Sequence, residues 1–380
     1  MRRIGIGLMA AVLCCTMATA TSQASSSTPV PFPKTIKGLK APVSVGSALD
    51  PVPAYVPQNA CQPGTPPGVA KLRALVLKTY GVGGAGNTAR TCAEGTSEHS
   101  DGRAWDWMVN VKTAKEKAAA ADFLAWLTRN DGRAARRLGI MYVIYNKKIW
   151  ASYRAKDGWR ASSGHTDHVH ISFSWNGARG NTSWWTGTVR PVDHGPCQRF
   201  AGQPSAVDTK KVNTKPCPGV SPLMKTTNLP TLEYGHKHSA VSTAQGLLGL
   251  ARTGTFDTQL RARLISWQRA NNLPKTGGLD QPTWAILRTT SVTKNVAKEY
   301  TPASARTYGA KNYSTRSMRS LDTGRHVLVL QRALGLPLKR VTGYFGVQTT
   351  DAVKAMQRQL NRPVTGTWTG GDWKALNAAS

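Results

Sequence analysis

One segment occurs twice in the last third of the chain, and no other feature restricts its fold as strongly. "QGLLGLARTGTF", residues 245–256, matches "QRALGLPLKRVTGYF", residues 331–345, with a short insertion in the second. From Phe256 and Phe345 onward the copies run without gaps: Trp267-Gln268 answers Met356-Gln357, Pro274 answers Pro363, and Gly277 answers Gly366. Trp284 then answers Trp373, and Leu287 answers Leu376. Self-similarity at fixed spacing means one small supersecondary unit used twice. Each copy reads as three short helices, with a glycine turn between the first two and another before the tryptophan helix. Leu248, Leu334, Phe256, Phe345, Trp284 and Trp373 are the expected cores of the two copies.

The repeats fill 230–290 and 318–380, with a linker at 291–317, and leave more than half of the 380 residues to explain. Arg2 and Arg3, an apolar stretch over 4–17, and small residues at Ala18, Ala20 and Ala24 read as a secretory signal peptide over 1–24. The stretch falls short of the roughly 20 residues a membrane helix needs, so no stable membrane anchor is expected. An interfacial anchor, or a lipid on Cys14 or Cys15, is the alternative. Residues 25–48 are rich in Ser, Thr and Pro and read as a disordered linker. Beyond the signal remain Cys61, Cys92, Cys197 and Cys217, an even number in an exported chain, so disulfides are expected. Of the three connectivities, Cys61–Cys92 with Cys197–Cys217 is favoured because each pair flanks one local segment. A four-cysteine zinc site is disfavoured because the chain has no CxxC pair.

The charge is extreme, with 50 Lys and Arg against 19 Asp and Glu and a formal net +31. Such a surface attracts polyanions. For an exported chain, phosphate-rich wall polymers are the nearer partner, and nucleic acid is not expected. An exported metal-dependent nuclease is a remote third reading with no motif behind it.

Residues 49–193 read as an α+β domain. Helices are predicted over 68–80 and 113–127, the second stopped by Asp131-Gly132; strands are predicted over 140–145 and 169–175, with a short one over 105–109. A linker at 194–229, pinned by Cys197–Cys217, follows. The expected fold class is therefore multidomain: an α+β domain with an antiparallel sheet and helices, then two small all-α three-helix modules.

The chemistry of this domain lies in "SEHSDGRAWDWMVN", residues 97–110, and "GHTDHVHISFSW", residues 164–175. A strand's period of two puts His168, His170, Ser172 and Ser174 on one face and Val169, Ile171, Phe173 and Trp175 on the other. The same alternation separates Asp106 from Trp105, Trp107 and Val109. Neighbouring strands would bring Asp106 to His170, with His99 entering from the preceding loop. One aspartate and two histidines make a three-ligand zinc set with the fourth position left for water. Solvated or structural histidines are the plainer alternative. No HExxH occurs, which excludes a thermolysin-like arrangement.

Two resemblances extend this reading. "TGYFGVQTTDAVKAMQRQLNRPVTGTW", in the second repeat, resembles the bacterial three-helix peptidoglycan-binding domain; the first copy departs from it at Asp257, where that family has Gly. "SEHSDGRAWD" resembles the S-x-H-x-x-G-x-A-x-D motif of zinc D-alanyl-D-alanine peptidases of the VanY kind, distant relatives of lysostaphin-like peptidases and hedgehog domains. It does so at Ser97, His99, Gly102, Ala104 and Asp106. The whole of 49–193 also resembles an exported actinobacterial-type family, through wording such as "RRLGIMY" and "HTDHVHISFSW".

The resemblance implies a metallopeptidase-like domain with one zinc ion on His99, Asp106 and His170, His168 beside the oxyanion, and a general base at Asp167. That family has Glu at the base position; Asp is shorter, and strict alternation aims Asp167 away from His168 and His170 unless the chain bends before the strand. A stem peptide ending in a carboxylate calls for an arginine clamp. Arg154 is the first candidate, with Arg90, Arg103 and Ser97 beside it. The implied protein is a secreted, monomeric, wall-associated zinc carboxypeptidase or endopeptidase whose partner is peptidoglycan. The alternative is a wall-binding protein whose peptidase-like domain has lost catalysis.

Overall fold

In the computed structural model, residues 33, 35–207, 212–221, 228–288, 299–320, 322 and 324–379 are described. The signal peptide expected over 1–24 lies outside them. None of the described helices is long and apolar enough to cross a membrane.

The α+β domain is built on a five-stranded antiparallel sheet: β1 Ala104–Trp107, β2 Ile140–Tyr145, β3 Lys148–Ala151, β4 Arg160–Ala161 and β5 Val169–Phe173, in the order β1-β5-β2-β3-β4. Strand alternation sorts β5 as the sequence predicts. Val169, Ile171 and Phe173 join Trp105, Trp107 and Val109 in one buried core. Helices α1 Pro67–Tyr80 and α2 Ala114–Leu138 cover that face, contributing Val69, Leu72, Val76, Phe123, Leu124 and Leu127. Pro67 at the first helical position and Gly81 in the left-handed conformation bound α1.

Four expectations need correction. The strand predicted over 169–175 ends at Phe173, because the Ser174 hydroxyl accepts from Gly177 N–H at 3.2 Å and caps α3 Trp175–Arg179. Trp175 is buried all the same, against the guanidinium groups of Arg103 and Arg179. The helix predicted over 113–127 continues past a non-helical break at Arg129–Gly132 to Leu138. The spacer expected over 25–48 is packed from Lys37 on: the Lys37 and Gly38 N–H groups donate to the Asp122 carboxylate at 2.6 and 2.9 Å, and Leu39 is buried. Finally, the linker expected over 291–317 contains α8 Pro302–Asn312, which packs against the second repeat and brings Tyr300 and Ala305 into its core. Strands β3 and β4 were not predicted. A short helix, α4 Ser183–Thr186, closes the domain.

The first repeat forms α5 Ser239–Leu247, α6 Thr258–Ala270 and a helix α7 over 281–288. The second forms α9 Arg325–Ala333, α10 Val347–Gln359 and α11 Gly370–Ala378. Phe256, Trp284, Phe345 and Trp373 are fully buried, Leu248 nearly so, and Leu334 packs at the edge. The repeated glutamines have a shared physical purpose. Gln245 and Gln331 accept from the Gly254 and Gly343 N–H groups at 2.9 and 2.8 Å and donate to the Thr255 and Tyr344 carbonyls. Gln268 and Gln357 close the second turn in the same way, through Gly277 and Gly366. Each buried amide thus satisfies a turn backbone that has no ladder partner.

Both disulfides form as favoured, Cys61–Cys92 and Cys197–Cys217.

Candidate metal centre

His99 sits on a single 3-10 turn, Glu98–Asp101, placed by its two ends. At the start, the Ser97 hydroxyl accepts from His99 N–H at 3.3 Å. At the end, Gly102 takes φ +71°, and a Cβ there would fall 2.2 Å from the Gly64 carbonyl oxygen, so the motif glycine cannot carry a side chain. Behind the turn, Asp101 and Arg103 form a fully buried ion pair at 2.7 Å, and Arg103 also donates to the Val56, Pro57 and Phe173 carbonyls. Arg103 is therefore scaffold and is withdrawn as a substrate clamp.

In the sheet, Asp106 pairs directly with His170 across β1 and β5. Three donor atoms meet there: Asp106 Oδ1 lies 3.2 Å from His99 Nε2 and 2.9 Å from His170 Nδ1, and the two nitrogens are 3.3 Å apart. All three residues are buried, and together they form a group able to hold a metal ion. Ligands at about 2.0–2.1 Å on a tetrahedral zinc stand roughly 3.3–3.4 Å from one another, so the triangle is close to one face of that tetrahedron. The rear of His170 is fixed as a metal-bound imidazole needs, by Nε2 to the Ser172 hydroxyl at 3.0 Å. Burial alone would raise the Asp106 carboxyl, but hydrogen bonds from His170 and His99 outweigh it and hold the acid well below the usual range. Burial keeps His170 below its ordinary value in turn. Both shifts favour the carboxylate and neutral imidazole that bind a cation.

His168 stands at the mouth, its Nε2 3.6 Å from Asp106 Oδ1 and its Nδ1 2.8 Å from Asp167 Oδ1. Residues 166–167 form a bend before β5. The bend brings the Asp167 carboxylate to His168, which regular alternation would have prevented. Asp167 is itself exposed at the surface. Arg90 reaches the site, Nη2 3.6 Å from Asp106 Oδ2, with its side chain 37% exposed. Arg154 pairs with Asp157 on the surface instead, Nε to Oδ2 at 2.5 Å, and no contact ties it to the three donors.

Three neighbours escaped the sequence reading. The Tyr142 ring stacks on His170 at 5.7 Å, and its hydroxyl donates to the buried Glu98 carboxylate at 2.8 Å. His165, at φ +54°, sets its ring 4.9 Å from that of His168. Tyr142 was findable: alternation in "IMYVIY" opposes it to Met141 and Val143, on the site's face of the sheet.

Residues 61–170, which contain every residue of this centre, match the family described as VldE, C-terminal domain. Residues 240–287 and 328–376 each match the putative peptidoglycan binding domain. No curated protein and no solved structure matches the chain.

Proposed function

We propose that the chain is a wall-directed zinc peptidase acting on peptidoglycan stem or cross-link peptides, in the manner of D-alanyl-D-alanine carboxypeptidases or endopeptidases. The observation that carries the reading is the convergence of His99 Nε2, Asp106 Oδ1 and His170 Nδ1 within 3.3 Å, in a chain with two peptidoglycan-binding segments. The two disulfides and these segments fit work outside the cytoplasm, at the wall.

His99, Asp106 and His170 would hold the ion. Zinc bound there supplies Lewis acidity toward a peptide carbonyl and toward water. The remaining chemistry belongs to side chains at the mouth. Asp167 accepts the Nδ1–H of His168, which fixes the tautomer and leaves Nε2 facing the donor atoms. In that state His168 can take a proton from the attacking water and then, charged, face the developing oxyanion. The general-base task first given to Asp167 thereby passes through His168. Arg90, already at the rim, can receive the carboxylate of a stem terminus, with Ser97 supporting the turn behind it.

A second reading, a wall binder with an inert domain, draws on the same Asp167: its carboxylate is engaged by His168, with no bond to any of the three donors. One experiment separates the two. Purified protein is incubated with defined muropeptides, with and without chelator, and stem products are followed by mass. Metal-dependent release of D-alanine or of cleaved cross-links is expected, and no new product at any zinc loading would refute the enzyme.

A further inference from the structure

The first repeat is clamped onto the loop that leads to His99. Cys92 N–H donates to the Tyr234 carbonyl at 2.9 Å and Arg261 Nη2 to the Cys61 carbonyl at 3.1 Å, so both halves of one disulfide are gripped by the module. Gly235, at φ +99°, passes so close that a Cβ would fall 2.4 Å from the Thr91 Cβ. The segment over 198–205 closes the third side: Ser205 N–H donates to the Asn59 carbonyl at 2.8 Å, and Gln281 N–H to Gln203 Oε1 at 2.9 Å. Between the three lies a cavity of about 350 Å³. That is within the roughly 300–1,000 Å³ of small-ligand sites.

The lining is unlike the rest of the chain. Of 50 Lys and Arg in the sequence, none lines it among the described residues. Gln58 and Thr96 face it from the sheet domain, Gln198 from the connector, and Thr231, Glu233 and His236 from the module. These are hydrogen-bonding groups with a single carboxyl among them. Burial beside Asp280 and Asp101 pushes the Glu233 acid up to about 7, and its Oε1 has no hydrogen-bond partner. A phosphate-rich polymer would find no lysine or arginine among the described lining residues, and a peptide carboxylate would meet Glu233. A neutral, hydroxyl- and amide-bearing ligand would find donors and acceptors on all three walls. The cavity also connects to the candidate metal centre: Gln58 Oε1 accepts from Ser97 N–H at 2.8 Å, and Ser97 in turn caps the turn of His99.

We propose that this cavity is a saccharide subsite, seating a neutral N-acetylated sugar of the glycan strand between the first module and the sheet domain. The attached stem peptide then lies along residues 96–99 toward the metal centre. That direction rests on the peptidase reading; the sugar binding does not.

The test is titration calorimetry of the full chain with a soluble β-1,4-linked N-acetylglucosamine tetramer. The wild type is compared with Thr96→Trp, which fills the cavity from an exposed position that makes no side-chain hydrogen bond in the structure. Binding is expected to weaken by about tenfold or more in the variant, while its melting temperature stays at the wild-type level. Equal affinity in the two proteins, no tetramer binding by the wild type, or displacement of the tetramer by inorganic polyphosphate would each overturn the proposal. Tetramer binding is also expected to survive chelation. The saccharide result therefore stands or falls apart from the peptidase assay.

Discussion

Glu233 gives the junction between module and sheet domain a measurable pH response. Its acid is pushed up to about 7 from the ordinary 4.5, first by burial and then by Asp280 and Asp101. Below pH 4.5 the carboxyl is neutral in both folded and unfolded chains and costs nothing. As pH rises through 4.5 to about 7, the unfolded chain releases the proton and the folded one retains it, so stability falls with rising pH. Above about 7 the loss levels off at roughly 3 kcal/mol, an order-of-magnitude figure from about 1.4 kcal/mol per decade. Glu233→Gln keeps the shape and removes the titration. The variant should match wild type at pH 4 and exceed it at pH 8, by on the order of 10 °C for a unit of this size. Thermal unfolding of both proteins at the two pH values, followed by tryptophan fluorescence, reads this directly. A difference between them that does not change with pH, or a variant less stable at pH 8, would refute the reasoning.

Other perturbations are equally definite. His99→Ala and His170→Ala should each lose bound zinc when metal content is measured by mass spectrometry after dialysis; full zinc occupancy in both would reject these ligands. Arg103→Met strands the fully buried Asp101 carboxylate and should cost about 3–5 kcal/mol in urea denaturation, whereas Arg154→Ala, on an exposed pair, should change stability by less than about 1 kcal/mol. Gln357→Leu strands the Gly366 N–H, while the Thr367 carbonyl keeps the Thr365 hydroxyl at 3.1 Å, and should destabilise the second repeat by about 1–3 kcal/mol. Replacing Cys61 and Cys92 by Ser opens a 31-residue loop and should cost roughly 3–4 kcal/mol by chain entropy; an unchanged melting temperature would argue against that.

What the chain disclosed in advance follows from how local each signal is. Alternation in 168–175 and 105–109 depends only on neighbouring residues, and it put Trp105, Trp107 and Ile171 in the core and Asp106 beside His170 on the opposite face. The glutamines of the repeats were visible as matched letters, but their task was not, because it depends on turns about ten residues away folding back to each amide. Strands β3 and β4 are four and two residues long, too short for alternation to mark them, and β4 lies at the sheet's edge. Residues 37–39 were read from composition as a spacer. Composition cannot register a buried acceptor such as Asp122, 84 residues from Gly38.

The candidate site shows the same division, and the division has a chemical consequence. The three donors were legible because two adjacent strands and one capped turn suffice to place them. The residues that would move protons were less so, because their placement turns on a bend over 166–167 that no periodicity records. With the bend, the Asp167 carboxylate meets the neighbouring His168 ring at 2.8 Å, a span for which the shorter side chain suffices. An Asp167→Glu exchange therefore separates the two mechanisms. If Asp167 acted alone as the base, the longer side chain would reach further and raise or preserve turnover. If it acts by orienting His168, Glu displaces the imidazole, and turnover should fall by about 10- to 100-fold, the range seen when a group that orients a catalytic neighbour is changed. His168→Ala should then abolish what remains, while both variants retain zinc. Undiminished turnover in Asp167→Glu, with His168→Ala still active, would return the base to Asp167.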